Sequence, residues 1–511
     1  MPKQRKSRRR LPTGAGQKVE QQPRRRVSNR FPPICALSED EIEFIHESSL
    51  KVLEQVGVEV MSAEGRELLL RGGATRGKAD DLILIDRGLV ESCLKTTRSS
   101  FKLHARNPDN TIEFGTDQIC FAPVGSAPHS SDLDRGRRAG NHRDYRDFVR
   151  LSQQLNIIHL VSGYPVEPTD IHPSIRHIEC LTDFAVMTDK VFHAYSLGRQ
   201  RNLDAFEIVK IARGVDDEQL CQEPSLHTII NSNSPLRLDA NMVTGIIEMS
   251  LRNQVVVLTP FTLSGAMAPV TLCGALTQQN AEVLSGLVIS QLTKPGAPFV
   301  YGGFTSNVDM RSGAPAFGTP EYMKAALASG QLARRYQLPF RSSNTNAANS
   351  VDAQSAYESV FSLWGAINGH AHLILHSAGW MEGGLTASFE KFVLDAELLQ
   401  MISEYLLPIP INEAEVGIDA MVQAGHGGHF FGTDHTQERY RDAFHTPMIS
   451  DWRNFETWSE AGSPQAVEHA NSLYKALLAQ YEEPPIDPAI REQLEDFRKR
   501  RIEEGGVKTD F

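Results

Sequence analysis

The side chains with chemical capacity in this 511-residue chain collect behind short apolar runs. Pro295 to Gly313, PGAPFVYGGFTSNVDMRSG, shows the pattern best. Phe299, Val300 and Tyr301 make a β-prone run ending at Gly302-Gly303, and Phe304, Asn307 and Asp309 follow. A strand that stops at glycines and then presents aromatic and amide groups delivers those groups to a site. The ends of the other runs hold Tyr164, His193 and Tyr195, Asn231 and Asn233, Phe261, Asn344 and Asn346, and His376 and Trp380, with Glu382 close behind. This set is rich in aromatics and amides and poor in carboxylates. No pair of acids stands out for general acid–base work. There is no GxSxG elbow and no HExxH. Such groups bind and orient rather than hydrolyse, and none is singled out as catalytic. Any one of these aromatics alone reads as core; their collection at one rim is what reads as a site.

The runs that position these residues are regular. Strand candidates are 119–124, 157–162, 191–195, 226–231, 255–260, 299–303, 339–343 and 373–377. Segments of helical length and period follow each one, the last at 389–405. Eight strand-then-helix units predict a (β/α)8 TIM barrel over residues 116–410, with active-site groups at the C-terminal strand ends. An open doubly wound sheet calls for a glycine-rich phosphate turn after its first strand, and Val124-Gly125-Ser126-Ala127-Pro128 is not one. Before the barrel, residues 36–115 read as a small α/β cap, opened by a helix that Ser38 caps with Glu41 three residues on. Residues 411–511 read as a C-terminal extension that packs on the barrel or a neighbouring subunit, ending in a charged, exposed helix.

Charge divides the chain. The first thirty residues hold eleven Lys/Arg and one acid, about +10, so the rest carries about −21 of the formal total of −11. With few apolar residues, 1–35 is expected to be a disordered basic tail. The acidic body argues against a nucleic-acid enzyme. No run approaches a membrane span, and the six cysteines are scattered without a CxxC pair, which points to a cytoplasmic protein with reduced thiols. His426, His429 and His435 lie close enough in sequence to raise zinc, but their glycine-rich loop GHGGHFFGTDH is a poor ligand frame, and no metal is expected.

Six long motifs in one order carry a resemblance: VGSAPHSSDLDRGRRAG, SGAMAPVTLCGALTQQNAEVLSG, YGGFTSNVDMRSGAPAFGTPE, LPFRSSNTNAANSVDAQSAYE, ILHSAGWMEGGLTASFEKFVLD and GHFFGTDHT. With them the chain resembles the trimethylamine:corrinoid methyltransferase family, in its members without pyrrolysine that are similar to the glycine betaine enzymes. The resemblance implies a (β/α)8 barrel and methyl transfer from a quaternary amine to the Co(I) corrinoid of a small partner protein. It implies no cofactor held by this chain, which lacks the DxHxxG signature of corrinoid modules, and it fits a homo-oligomer. The family's pyrrolysine falls in the loop that here reads Ser343-Asn344-Thr345-Asn346, where no side chain can act as an imine electrophile. A quaternary ammonium needs no such activation, because its nitrogen is already a cationic leaving group. Aromatic faces suit that cation, and Tyr195, Phe261, Tyr301, Phe304 and Trp380 are the candidates. A betaine carboxylate would take Asn231, Asn233, Asn344, Asn346 or His376 as donors. Glu382 would attract the cation or cap the next helix. Carnitine and proline betaine are further substrates of this kind, and a non-catalytic betaine-binding barrel is the alternative reading.

Overall fold

The computed structural model describes residues 18–509. Eight parallel strands appear where the apolar runs predict them: β1 (Gln118–Phe121), β2 (Leu160–Val161), β3 (Val191–His193), β4 (Leu226–Ile230), β5 (Val255–Leu258), β6 (Phe299–Gly302), β7 (Phe340–Ser343) and β8 (Leu373–Leu375). They lie side by side from β2 through β8 in chain order, and β8 pairs with β1. Helices α1 (His142–Gln154), α2 (Pro173–Met187), α3 (Arg199–Arg213), α4 (Ala240–Leu251), α5 (Leu272–Thr293), α6 (Pro320–Arg335), α7 (Ala353–Asn368) and α8 (Phe389–Tyr405) follow the strands in turn.

The sheet is curled, and its ladder stops at the seam between β1 and β2. There Val27–Ser28 adds a ninth, antiparallel strand to β1, with Val27 opposite Ile119. Further along, His159 N donates to Phe121 O at 2.9 Å and Ser126 N to Tyr164 O at 2.7 Å. The seam is thus stitched by single bonds and a short edge cover.

Period-two alternation sorts the strand residues. Cys120, Leu160, Val191, Val255, Val257, Val300, Leu373 and Leu375 join one buried cluster inside the curl, which the hairpin Phe101–Leu103/Ile112–Phe114 enters. Phe121, Val256, Leu258, Tyr301, Phe340 and Ile374 belong to the larger core shared with the helices.

Two small sheets, not anticipated from sequence, extend from the C-terminal strand ends. One orders Trp380–Met381, Thr386–Ser388, His129–Asp132 and Gly136–Ala139; the other orders Leu263–Ser264, Ser306–Val308 and Pro315–Ala316. The first is tied by buried Asp132 and Asp144, which ion-pair with Arg135 and Arg138.

Three expectations need correction. The basic tail covers more order than its composition predicts. Residues 1–17 lie outside the described residues, but 18–35 lie along the body: Val19 and Val27 are buried, and Arg25 pairs with Glu404 at 2.8 Å. A free sheet edge and a surface carboxylate supply what the segment lacks in hydrophobicity. The N-terminal cap is also not separate. Its helix Glu39–Lys51 has the expected Ser38–Glu41 capping box and packs on α5, while Val58–Val60 pairs with Arg237–Leu238 beyond β4. The terminal helix Pro488–Glu503 buries Leu494 and Phe497 and packs on α2 and α3, so it is charged but half covered. Among the described residues no helix is long and apolar enough to cross a membrane.

Candidate functional site

Strand β7 carries a charge into the sheet interior. Arg341 stands opposite Leu373, an interior residue of β8, and is 2% exposed. Among the described residues no carboxylate lies within ion-pair distance of it. Its Nη1 reaches only Gly303 O at 3.5 Å, and its Nε has no partner. Burial holds its pKa down at about 10. The guanidinium carbon stands 5.1 Å from the centroid of the Phe304 ring.

The Phe304 ring beneath this cation belongs to an aromatic cluster. Phe304 lies 5.2 Å from Phe261, 5.6 Å from Phe317 and 6.3 Å from both His376 and Trp380, centroid to centroid. His376 packs on Trp380 at 4.0 Å. His376 adopts φ +54° directly after β8, a left-handed conformation that side chains avoid unless the surroundings enforce it. Burial, then the nearby Arg341 charge, push the His376 pKa well below its ordinary value, so its ring is neutral.

Buried polar atoms without a partner concentrate here. They include Arg341 Nε, His376 Nδ1, Trp380 Nε1, Ser343 Oγ, Asn344 Oδ1 and Asn346 Oδ1. Buried polar groups are as a rule hydrogen-bonded, so such a concentration at strand ends makes this the candidate site.

The expected site residues divide. Phe261, His376 and Trp380 come together around Phe304, which lies against Arg341. Asn344 and Asn346 are buried beside them, but each uses an N–H to hold the neighbouring loop: Asn344 Nδ2 donates to Ser377 O at 3.0 Å and Asn346 Nδ2 to Trp380 O at 2.6 Å. Behind that loop, Asp395 accepts from Gly379 N at 2.9 Å and pairs with buried Lys391. Glu382 is bonded to Arg137, its nearer carboxylate oxygen at 2.9 Å from Nε, and so ties the loop after β8 to the Gly136–Ala139 strand. Tyr301 falls on the outer face of β6, where its hydroxyl donates to Asn280 on α5. Asn231 and Asn233 are exposed, and Asn233 Oδ1 accepts from Asp239 N.

Tyr195 belongs to a second interior group. Its hydroxyl accepts from Tyr164 N and lies 2.8 Å from Ser126 Oγ; its ring packs on Tyr164 at 4.1 Å and on His193 at 4.7 Å. His193 stands edge-on to His227, which reaches Ser162 Oγ at 3.0 Å. Burial keeps both histidines neutral, His227 with a pKa of about 3.

Elsewhere, His435 is bonded to Ala414 O. The one group with metal-ligand spacing among the described residues is Glu43, His46 and Glu47, but His46 is already engaged by Tyr336 and Glu91. A cavity of about 310 Å3 opens at the opposite end of the sheet, lined by Arg24, Arg25, Arg26, Cys120 and His159. It has none of the aromatic groups, and in curled α/β sheets the chemistry sits at the C-terminal strand ends.

A family model described as trimethylamine methyltransferase matches residues 3–506. The chain belongs to the trimethylamine methyltransferase family. Among its relatives in this family, the glycine betaine methyltransferase of Desulfitobacterium hafniense is 35% identical over 478 residues, covering 93% of this chain and 99% of the relative. A trimethylamine methyltransferase of the same species is 28% identical over 93% of this chain and 95% of that one. The solved monomethylamine methyltransferase of Methanosarcina barkeri is 12% identical, with a TM-score of 0.44 over 92% of this chain and 96% of that one. This member of the trimethylamine methyltransferase family is therefore an enzyme that moves methyl groups.

Sequence reasoning found the family and much of the aromatic cluster but missed Arg341 and Phe317. A signal for the first was present: a lone charge inside the strand LPFRSS, at an interior position by parity with the flanking Phe340.

Proposed function

We propose that this methyltransferase takes a methyl group from a zwitterionic quaternary amine, glycine betaine before carnitine or proline betaine, and gives it to a reduced corrinoid on a small partner protein. Buried Arg341, without an anion, is the observation that carries this reading. Leaving a desolvated guanidinium unpaired costs several kcal/mol. A bare cation such as trimethylammonium or tetramethylammonium would add a second positive charge beside it. A zwitterion resolves both problems: its carboxylate pairs with Arg341, and its trimethylammonium head packs on aromatic faces. The 35% identity to a glycine betaine methyltransferase points the same way.

Each part of the site then has a task. Arg341 orients the carboxylate, with His376 Nδ1 free to join it. Trp380, Phe261 and Phe317 hold the methyl-bearing head, each contact worth roughly 0.5–2 kcal/mol. The two small sheets over the strand ends exclude water, and Asn344 and Asn346 fix the loop that carries His376 and Trp380. The partner's Co(I) corrinoid supplies the nucleophile. As the C–N bond breaks, nitrogen keeps its electron pair and becomes a neutral tertiary amine. The ammonium charge vanishes beside Arg341, so like-charge repulsion present in the bound substrate is relieved on the way to product. Interactions that change in this direction favour the transition state, whereas aromatic binding of the cation alone does not.

We read the curled sheet as a (β/α)8 barrel whose first seam is closed by few bonds, and the enzyme as cytoplasmic, in keeping with its six free thiols. Calorimetry with glycine betaine and with tetramethylammonium tests the reading. Betaine should bind, and tetramethylammonium should bind at least 10-fold more weakly. Equal affinities would remove Arg341 from substrate recognition.

A further inference from the structure

The cavity at the N-terminal strand ends has walls from three parts of the chain. Strand β1 and His159 form one, the hairpin strand that begins at Ile112, with Asp109 before it, a second, and Arg24, Arg25 and Arg26 the third. Its volume of about 310 Å3 is enough for a small ligand, since pockets for such molecules begin at roughly 300 Å3.

The three arginines differ in what they hold. Arg25 is engaged elsewhere: it pairs with Glu404 at 2.8 Å, and its Nε donates to Ser403 Oγ at 2.9 Å. Its carbonyl accepts from His159 Nε2 at 3.3 Å, while His159 Nδ1 accepts from Phe121 N at 3.0 Å, so that ring is neutral with both nitrogens used. Arg26 is exposed and reaches Glu113 at no less than 3.9 Å. Arg24 is half-buried and, among the described residues, has neither a hydrogen bond nor a carboxylate within ion-pair distance. Burial holds its pKa below the ordinary arginine value. Residues 1–17 contain no Asp or Glu, so the chain before it has no acid to offer.

Positive charge is also in excess behind the cavity. Buried Lys190 donates to Ser152 O at 2.6 Å and Leu155 O at 3.0 Å, and half-buried Arg106 donates to Pro485 O and Thr188 O. Asp189 is the carboxylate whose field reaches Arg24, Arg106 and Lys190 alike. Its oxygens are taken by neutral amides, Asn107 at 2.9 Å, Asn110 at 2.7 Å and Gln153 at 3.0 Å. At the rim, exposed Asp109 faces Arg24 from beyond ion-pair distance. Cys120 stays a thiol, its pKa pushed up to about 12 by burial, and brings no charge. In a body rich in acid this basic pocket stands apart.

We propose that the cavity binds a small oxyanion, a phosphate or a carboxylate, on Arg24 with Arg26 at its mouth. The planar guanidinium fork donates paired bonds to either group. A half-buried guanidinium without a partner gains more from an anion than a solvated one does. Both arginines belong to the N-terminal segment, whereas the facing walls belong to β1 and the hairpin. The bound anion therefore ties that segment to the sheet edge, and anything bound to the folded chain alone adds to its stability.

Calorimetry on the full chain tests this, with inorganic phosphate and malonate as probes and chloride keeping the ionic strength constant. At least one probe should bind and raise the melting temperature, and the tighter of the two identifies the head group. Arg24→Gln should weaken binding by roughly 10-fold or more, the loss of a hydrogen bond between charges. Asp109→Asn, which removes the acid facing Arg24, should tighten it. Probes that act no more strongly than chloride would overturn the proposal, and so would either variant binding as the native chain does. Should Arg24→Gln fail to fold, amide exchange of the native chain decides: a saturating probe should slow exchange at 24–28 and 118–121 together, and unchanged exchange would refute the site.

Discussion

The Arg341 guanidinium lies over the Phe304 ring at 5.1 Å, buried, with no carboxylate of the described chain in reach. An unpaired buried charge lowers stability unless a ligand completes it. Arg341→Met should therefore leave the substrate-free melting temperature unchanged or raise it. The same substitution should increase KM for glycine betaine roughly 10- to 100-fold, the equivalent of about 1–3 kcal/mol for a lost charged hydrogen bond. A variant that unfolds, or one with native KM, would assign Arg341 to structure instead.

Trp380 can be tested from two sides. Trp380→Ala removes an aromatic wall, and betaine affinity should fall by the roughly 0.5–2 kcal/mol of a cation–π contact. Gly384→Ala should reach a similar result indirectly: Gly384 has φ +103°, and a Cβ there would stand 2.5 Å from a Trp380 ring carbon. Calorimetry on both variants checks this, with near-ultraviolet circular dichroism reporting the indole's displacement in the second.

Three histidines, two buried and His372 half-buried, set the acid limit of the fold. Burial lowers His159 and His227 to a pKa of about 3 and His372 to about 4. In the unfolded chain each takes up its proton near the ordinary value of about 6.5. Below that pH the unfolded state binds more protons, so stability present at pH 7 is lost as pH falls, from about 6.5 down to the folded-state values. The slope is up to about 1.4 kcal/mol per pH unit for each histidine. Urea unfolding at pH 7 and pH 5 should show the loss, and His227→Gln should make the slope shallower.

The ordered part of the N-terminal segment is part of the fold. Deleting residues 1–30 removes the Val27–Ser28 strand from β1, the Arg25–Glu404 ion pair and the Asn29 bond to Ile367 O at 2.8 Å. The melting temperature should drop measurably, by scanning calorimetry, relative to the full chain.

The eight strands and their helices were legible because hydrophobic period switches from two to 3.6 along the chain at each unit. Parity within a strand is equally legible. It separates Tyr301, on the outer face with Phe299, from Val300 within, and it places Arg341 inside. The small sheets over the strand ends were not legible. HSSD at 129–132 and GRRA at 136–139 have no strand composition, and their partner Thr386–Ser388 lies far along the chain. Asn344 and Asn346 show the same limit: their amide type is visible in sequence, but their bonds to Ser377 O and Trp380 O depend on the neighbouring strand's loop. The segment at 18–30 misled because composition reports what a stretch can bury by itself, not an edge waiting to be paired.

The central claim is that a carboxylate-bearing quaternary amine is the methyl donor. The direct measurement mixes the enzyme with its reduced corrinoid partner and either glycine betaine or trimethylamine, following loss of the reduced corrinoid's absorbance and the amine product. Glycine betaine should be consumed with equimolar dimethylglycine formed, and trimethylamine should give no detectable turnover. Robust demethylation of trimethylamine by this chain, with glycine betaine inert, would contradict the account.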